Sequence, residues 1–169
     1  YDAWLIDDAT SIETAVTNNS SAEHYYTLQG AACVVARLNG SGLFEKDVTY
    51  TTLQAALDAA KDKGGDASID LLADVGEQVT ATTVNNPITL NLNGYTLTGK
   101  ITLTNNQNTN AFTLTDKQAA DYKKGSTGGV LTGPGYGIDM SNGNSATIRN
   151  TLVLTGKTLT LRNLSRAVN

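Results

Sequence analysis

The phrase TLTGKITLTN, Thr96 to Asn105, returns as LTGKTLTLRN, Leu154 to Asn163, with a shorter echo at Leu131-Thr132-Gly133 between them. Each copy alternates an apolar residue with Thr or Asn and then breaks at Gly, the pattern of short half-buried strands joined by tight corners. From Ala67 onward this period of two persists through Ile69 and Leu71, then Ile88, Leu90 and Leu92, then Ile101 and Leu103. It continues through Phe112 and Leu114, Leu131, Ile138, Leu152 and Leu154, and Leu159 and Leu161. Asn93-Gly94 is a strong local hairpin signal and favours an antiparallel meander. Against it, the strands are very short, and LTG recurs at intervals of 34 and 23 residues. Such intervals suit passes of roughly 20–30 residues with corners of variable length, the mark of a β-solenoid. An antiparallel β-sandwich binding module is a third arrangement that these strands allow.

Ahead of this region the period is that of a helix. Leu53, Ala56, Leu57 and Ala60 recur at i, i+3, i+4 and i+7, which predicts a helix over 51–63 with Thr51 or Thr52 as its cap. Gln54, Asp58, Lys61 and Asp62 fall on its outer face, and Gly64-Gly65 end it. One narrow apolar face suits a lid over the exposed edge of the first pass. The run Ala31 to Leu38 predicts a strand ending at Asn39-Gly40, and Ala9 to Val16 a short helix followed by a loop at Asn18 to Ser21. The chain divides into an N-terminal extension, 1–32, and a capping strand, helix and β-passes over 33–169.

Composition narrows the partners. Charged residues make up 17% of 169, the net charge is −4, and no basic stripe is present, which argues against nucleic acid. No apolar run approaches the ~20 residues of a membrane span. Cys33 is alone, so no disulfide forms within the chain; flanked by Ala31, Ala32, Val34 and Val35, it reads as a buried inert thiol. The single His, His24, is not placed near it by any sequence signal. A chain that opens on Tyr1 reads as processed or excised, and strand writing that runs to Asn169 predicts an open edge that something meets.

The segments VARLNG, YTTLQAALDAAKDKGGDASIDLLADV and ITLNLNGYTLTG together resemble the start of the right-handed parallel β-helix modules of bacterial surface proteins, pectate-lyase-like in architecture. The resemblance spans roughly residues 33–164 and is broken by insertions at Ser41 to Asp47 and Asp116 to Gly128. It implies a mainly β chain: a short right-handed parallel β-helix with an N-terminal capping α-helix. It further implies an extracellular, cell-surface structural or adhesive module without cofactor, which self-associates or stacks on further β-passes. A cell-surface glycan or protein is the ligand class such modules meet. The rival implication is a polysaccharide lyase or glycosidase fragment, since that architecture also carries those enzymes.

An enzyme of that kind needs clustered carboxylates. Asp70, Asp74, Glu77, Asp116, Asp121 and Asp139 are scattered and read as solvated surface acids, while the pair Asp7-Asp8 lies outside the passes. Asp58, Asp62, Asp66, Asp70 and Asp74 recur every four residues, but Gly64-Gly65 breaks their register, and no Ca²⁺ loop with alternating ligands appears. No catalytic, metal or cofactor residue is therefore assigned. The TxT phrases sit at spacings that stack no Thr on Thr, so they read as outward strand positions and not as an ice-binding array. Dense Asn reads as corner chemistry: Asn tolerates left-handed turns and its amide bonds the neighbouring pass. GPGYG, Gly133 to Gly137, reads as a turn, and Arg149, Arg162 and Arg166 as surface residues. Trp4, Tyr25, Tyr26, Leu164 and Val168 are the candidate interface residues.

Overall fold

The structure, a computed structural model, describes residues 34–41, 47–61, 65–83, 85–104, 110–117, 128–141, 150–156 and 158–169. The chain forms two compact units, Tyr1–Cys33 and Val34–Asn169, and every described residue belongs to the second. The readings made for the short helix at 9–16, for His24 and for Cys33 thus lie outside the described residues.

The described chain is mainly β with one helix. Its largest sheet runs β11 (Thr151–Thr155), β8 (Ala111–Thr115), β5 (Ile88–Asn91), β3 (Ala67–Leu71), β1 (Ala36–Gly40), β2 (Val48–Tyr50). A four-stranded sheet runs β13 (Arg166–Val168), β10 (Tyr136–Asp139), β7 (Ile101–Leu103), β4 (Val79–Ala81). A three-stranded sheet runs β12 (Thr160–Arg162), β9 (Val130–Thr132), β6 (Thr96–Thr98). The chain visits the sheets in a fixed order: β5-β6-β7, then β8-β9-β10, then β11-β12-β13. The opening round is β3, a single parallel bridge from Val75 to Leu97, and β4.

From β3 onward every strand pairing is parallel. Among the described residues only β1, against β3 and β2, is antiparallel, which is not the pairing of an antiparallel sandwich. The physical reason lies in the Asn-Gly turn. Asn93 (φ 51°) and Gly94 (φ 85°) adopt the left-handed conformations of a hairpin turn. Here, however, they pass the chain from one sheet to the next, and β5 and β6 do not pair. The Asn93 side chain meanwhile donates from Nδ2 to the Leu71 carbonyl one round earlier, as the corner reading of Asn expects.

Parallel register stacks like on like. Ile69, Leu90, Leu114 and Leu154 form one column of the largest sheet, and Val79, Ile101, Ile138 and Val168 one of the four-stranded sheet. These columns and the helix α1 (Leu53–Lys61) enclose a single core. Alternation along each strand sends the other residues outward. There Thr113 stacks on Thr89 and Thr102 on Thr80, Thr residues outside the TxT phrases, while among the described pairs no Thr of one TxT phrase stacks on a Thr of another, as the spacing argument expects. The LTG echo, by contrast, is corrected. Leu97 does pair with Leu131, but Leu131 then pairs with Leu161, whereas Leu154 lies on Leu114 in a different sheet. The two long copies therefore sit at different corners, because rounds of unequal length shift the phrase relative to the stack.

The helix follows its sequence pattern: Leu53, Ala56, Leu57 and Ala60 are its buried residues. The Thr52 hydroxyl accepts the Ala55 N–H (3.2 Å), which identifies the cap. Gln54 departs from the outward reading, since its carboxamide bonds the backbone of Thr80 in β4. The first strand begins at Ala36 and continues through Asn39-Gly40 instead of stopping before them. Tyr136 and Gly137, read as part of a turn, open β10.

Candidate functional site

Two features of the described residues stand out: where the acids went, and how the last round ends.

The acids are largely engaged in structural hydrogen bonds, and the burial of Asp116 and Asp139 corrects their reading as solvated, whereas Asp74 is exposed as that reading expects. On the outer face of the largest sheet, Asp70 accepts from Arg37 Nη2 (3.1 Å) and from Asn91 Nδ2 (2.8 Å), across three neighbouring strands. Asp74 accepts the Thr96 N–H (2.7 Å). Glu77 accepts the N–H groups of Leu53 (3.1 Å) and Gln54 (3.2 Å), two of the orphan donors of the helix N-terminus. Asp116 is buried; its Oδ1 accepts the Gly94 N–H (2.8 Å) and its Oδ2 the Thr158 hydroxyl. One carboxylate thus joins corners from two different rounds. Asp58 and Asp66 are exposed, and Asp62 and Asp121 lie outside the described residues. Among the described residues no three His, Cys, Asp or Glu side chains come together as a metal site would require.

Asp139 is the most strongly held. Its Oδ1 accepts the Ser141 hydroxyl (2.6 Å), the Ser141 N–H (3.0 Å) and Asn169 Nδ2 (3.5 Å), while Lys100 Nζ lies 3.4 Å from Oδ2. The two Ser141 bonds do most to lower its pKa to about 2, Asn169 and Lys100 help, and burial opposes them. So acidic a carboxylate is a poor general base for Ser141. Its role is to fasten the end of β10 to the end of the last round. The unfolded value is near 3.9, so the lowered folded pKa stabilises the fold above about pH 4, and that contribution is lost as pH falls toward 2. Urea midpoints at neutral pH and at pH 2.5 should therefore differ less for Asp139→Asn than for the unsubstituted chain.

Among the described residues, the last round ends on open edges. β11, β12 and β13 are each the outer strand of their sheet and have one strand neighbour each. The columns show the consequence: Ile69, Leu90 and Leu114 are 0% exposed, and Leu154, next in line, is 44%. Likewise Ile101 and Ile138 are fully buried and Val168 is 39% exposed. Leu152, Leu159 and Leu161 are half-buried against the core. Of the candidate interface residues, Leu164 and Val168 belong to this end; Leu164 is half-buried and packs beside Gly137 in β10. Trp4, Tyr25 and Tyr26 lie outside the described residues, as does Arg149. Arg162 and Arg166 are exposed, as their surface reading expects, and the Arg166 guanidinium lies 5.9 Å from the Tyr136 ring centroid.

Sequence reasoning missed Gln54, Glu77, Asp116 and Asp139. Their partners lie 22 to 42 positions away in most cases, and no local signal marks them. No helix among the described residues is long and apolar enough to cross a membrane. No family model matches the chain, and neither a curated protein nor a solved structure matches it.

Proposed function

We propose that the chain is a non-catalytic structural module, a short right-handed parallel β-helix capped by α1, whose open end serves for assembly at a cell surface. The observation that carries this reading is the recurrence of three parallel strands in fixed order, with apolar columns that run to β11, β12 and β13 and stop there half-exposed. Right-handedness follows the general preference of parallel crossover connections. The engagement of Asp70, Asp74, Glu77, Asp116 and Asp139 in hydrogen bonds to side chains and backbone supports a structural role over lyase chemistry. The extracellular and adhesive parts of the proposal rest on the resemblance of the VARLNG, YTTLQAAL and ITLNLNGYTLTG segments. Incubation with polygalacturonate and Ca²⁺ is expected to release no unsaturated uronates. Chelator-sensitive release would overturn the proposal in favour of a polysaccharide lyase.

A further inference from the structure

We infer that Asn93-Gly94 is a latent modification site. The stacked corner holds it unreactive through Asp116, and opening of that corner lets Asn93 convert, one way, to aspartate or isoaspartate.

An Asn followed by Gly is prone to react with its own backbone, because glycine has no Cβ to shield its nitrogen or restrict its dihedrals. The glycine nitrogen gives up its proton and attacks Cγ of the Asn. The N–Cγ bond forms, the Cγ–Nδ2 bond breaks, and the side-chain nitrogen leaves with the proton as ammonia. Water then opens the cyclic imide at one carbonyl or the other, giving aspartate or isoaspartate. The reaction therefore needs a free Gly N–H and a carboxamide able to swing over it.

Both groups are engaged at this corner. The Gly94 N–H donates to Asp116 Oδ1 (2.8 Å). Asp116 is 4% exposed and its Oδ2 accepts the Thr158 hydroxyl, so both oxygens serve as acceptors, as a carboxylate's do. A negative charge against this N–H opposes loss of its proton, the more so where water is excluded. The Asn93 carboxamide is held by its Nδ2, which donates to the Leu71 carbonyl (3.1 Å), and the Asn93 N–H donates to Asn91 Oδ1 (3.1 Å). Leu71, Asn93, Asp116 and Thr158 come from different rounds, so it is the stacking of rounds that keeps the two reacting groups apart. Conversion is one-way for the same reason. A carboxylate at position 93 has no donor for the Leu71 carbonyl and places a negative charge one residue from the amide that Asp116 holds. Isoaspartate also lengthens the backbone within the turn. Asn39-Gly40, the other Asn-Gly pair among the described residues, lies in β1 and serves as an internal reference.

Peptide mapping of the 169-residue chain after incubation in mildly alkaline buffer tests this, with conversion read at Asn93 and at Asn39. Conversion at Asn93 is expected to be about tenfold or more slower than in a synthetic peptide of residues 89–98, since two hydrogen bonds must break first. Equal rates overturn the protection. In Asp116→Asn, which keeps the shape and removes the charge, conversion at Asn93 is expected to quicken at least about threefold while Asn39 keeps its rate. No change at Asn93 overturns the part given to Asp116, and so does equal quickening at both sites, which reports only a looser fold. Should that variant not fold, Thr158→Val, which frees one Asp116 oxygen, is expected to act in the same direction, and an unchanged rate at Asn93 overturns the same part. Asn93→Asp, one of the two products, is expected to lower the urea midpoint and to quicken hydrogen exchange at the Gly94 amide. If both stay as in the unsubstituted chain, the one-way character is overturned.

Discussion

Phe112→Ala is expected to cost about 3–5 kcal/mol of stability, the usual loss for emptying a buried aromatic site. Phe112 is 0% exposed and stacks between Ile88 of the round before and Leu152 of the round after. Neighbours in a parallel column belong to separate rounds, so local collapse is poorly able to fill the void. The same truncation at Leu152, one step along the column and only half-buried, is expected to cost about 1 kcal/mol, because part of the side chain is already in water. Urea denaturation at low protein concentration measures both. Equal costs would mean that the last round is as deeply buried as the third, which would remove the open face.

Gly99→Ala is expected to be nearly as damaging, about 2–4 kcal/mol, through overpacking against backbone. A Cβ built on Gly99 would lie 1.9 Å from the Glu77 carbonyl oxygen and 2.6 Å from its carbon. Neither atom is the yielding tip of a side chain. Relief requires that the corner at Glu77 shift, and Glu77 also holds the first turn of α1. The variant should therefore show faster hydrogen exchange at the Leu53 and Gln54 amides as well as a lower urea midpoint. Gly76, which precedes Glu77 at the corner one round earlier, has nothing within 4 Å of such a Cβ. Gly76→Ala should change stability by less than about 0.5 kcal/mol. A Gly99→Ala chain as stable as Gly76→Ala would contradict the close stacking of corners.

The parts of the fold that depend on local period were legible in the sequence. The face Leu53, Ala56, Leu57, Ala60 is buried as a 3.6-residue period requires. The inward positions Ile69, Leu90, Ile101 and Leu114 follow from alternation alone. Register was not legible, because a strand in this stack pairs with one a whole round away and the rounds differ in length. The LTGK echo illustrates this: a similar phrase recurs, yet Leu97 leads through Leu131 to Leu161 and not to Leu154. Asn93-Gly94 failed as a hairpin signal for a related reason. A local turn fixes the path of the backbone, but whether the flanking strands pair depends on what the rest of the chain places beside them. Asp116 and Asp139 were misread because a carboxylate's partners are chosen by the fold; Asp116 meets Gly94 and Thr158, respectively 22 positions before it and 42 after.

The unequal rounds also say where this fold stores freedom. Leu90 and Leu114 are 24 positions apart and Leu114 and Leu154 are 40 apart, yet both pairs hold the same strand register. Closing the longer loop costs only about 0.5 kcal/mol more than closing the shorter one, because closure entropy grows with the logarithm of length. Sequence distance is therefore a poor ruler for this molecule, and its corners are natural grafting points. A foreign peptide spliced between Lys117 and Gly128 is expected to leave the strands before and after it in their pairing. The stack would serve as a rigid stem for whatever its corners display.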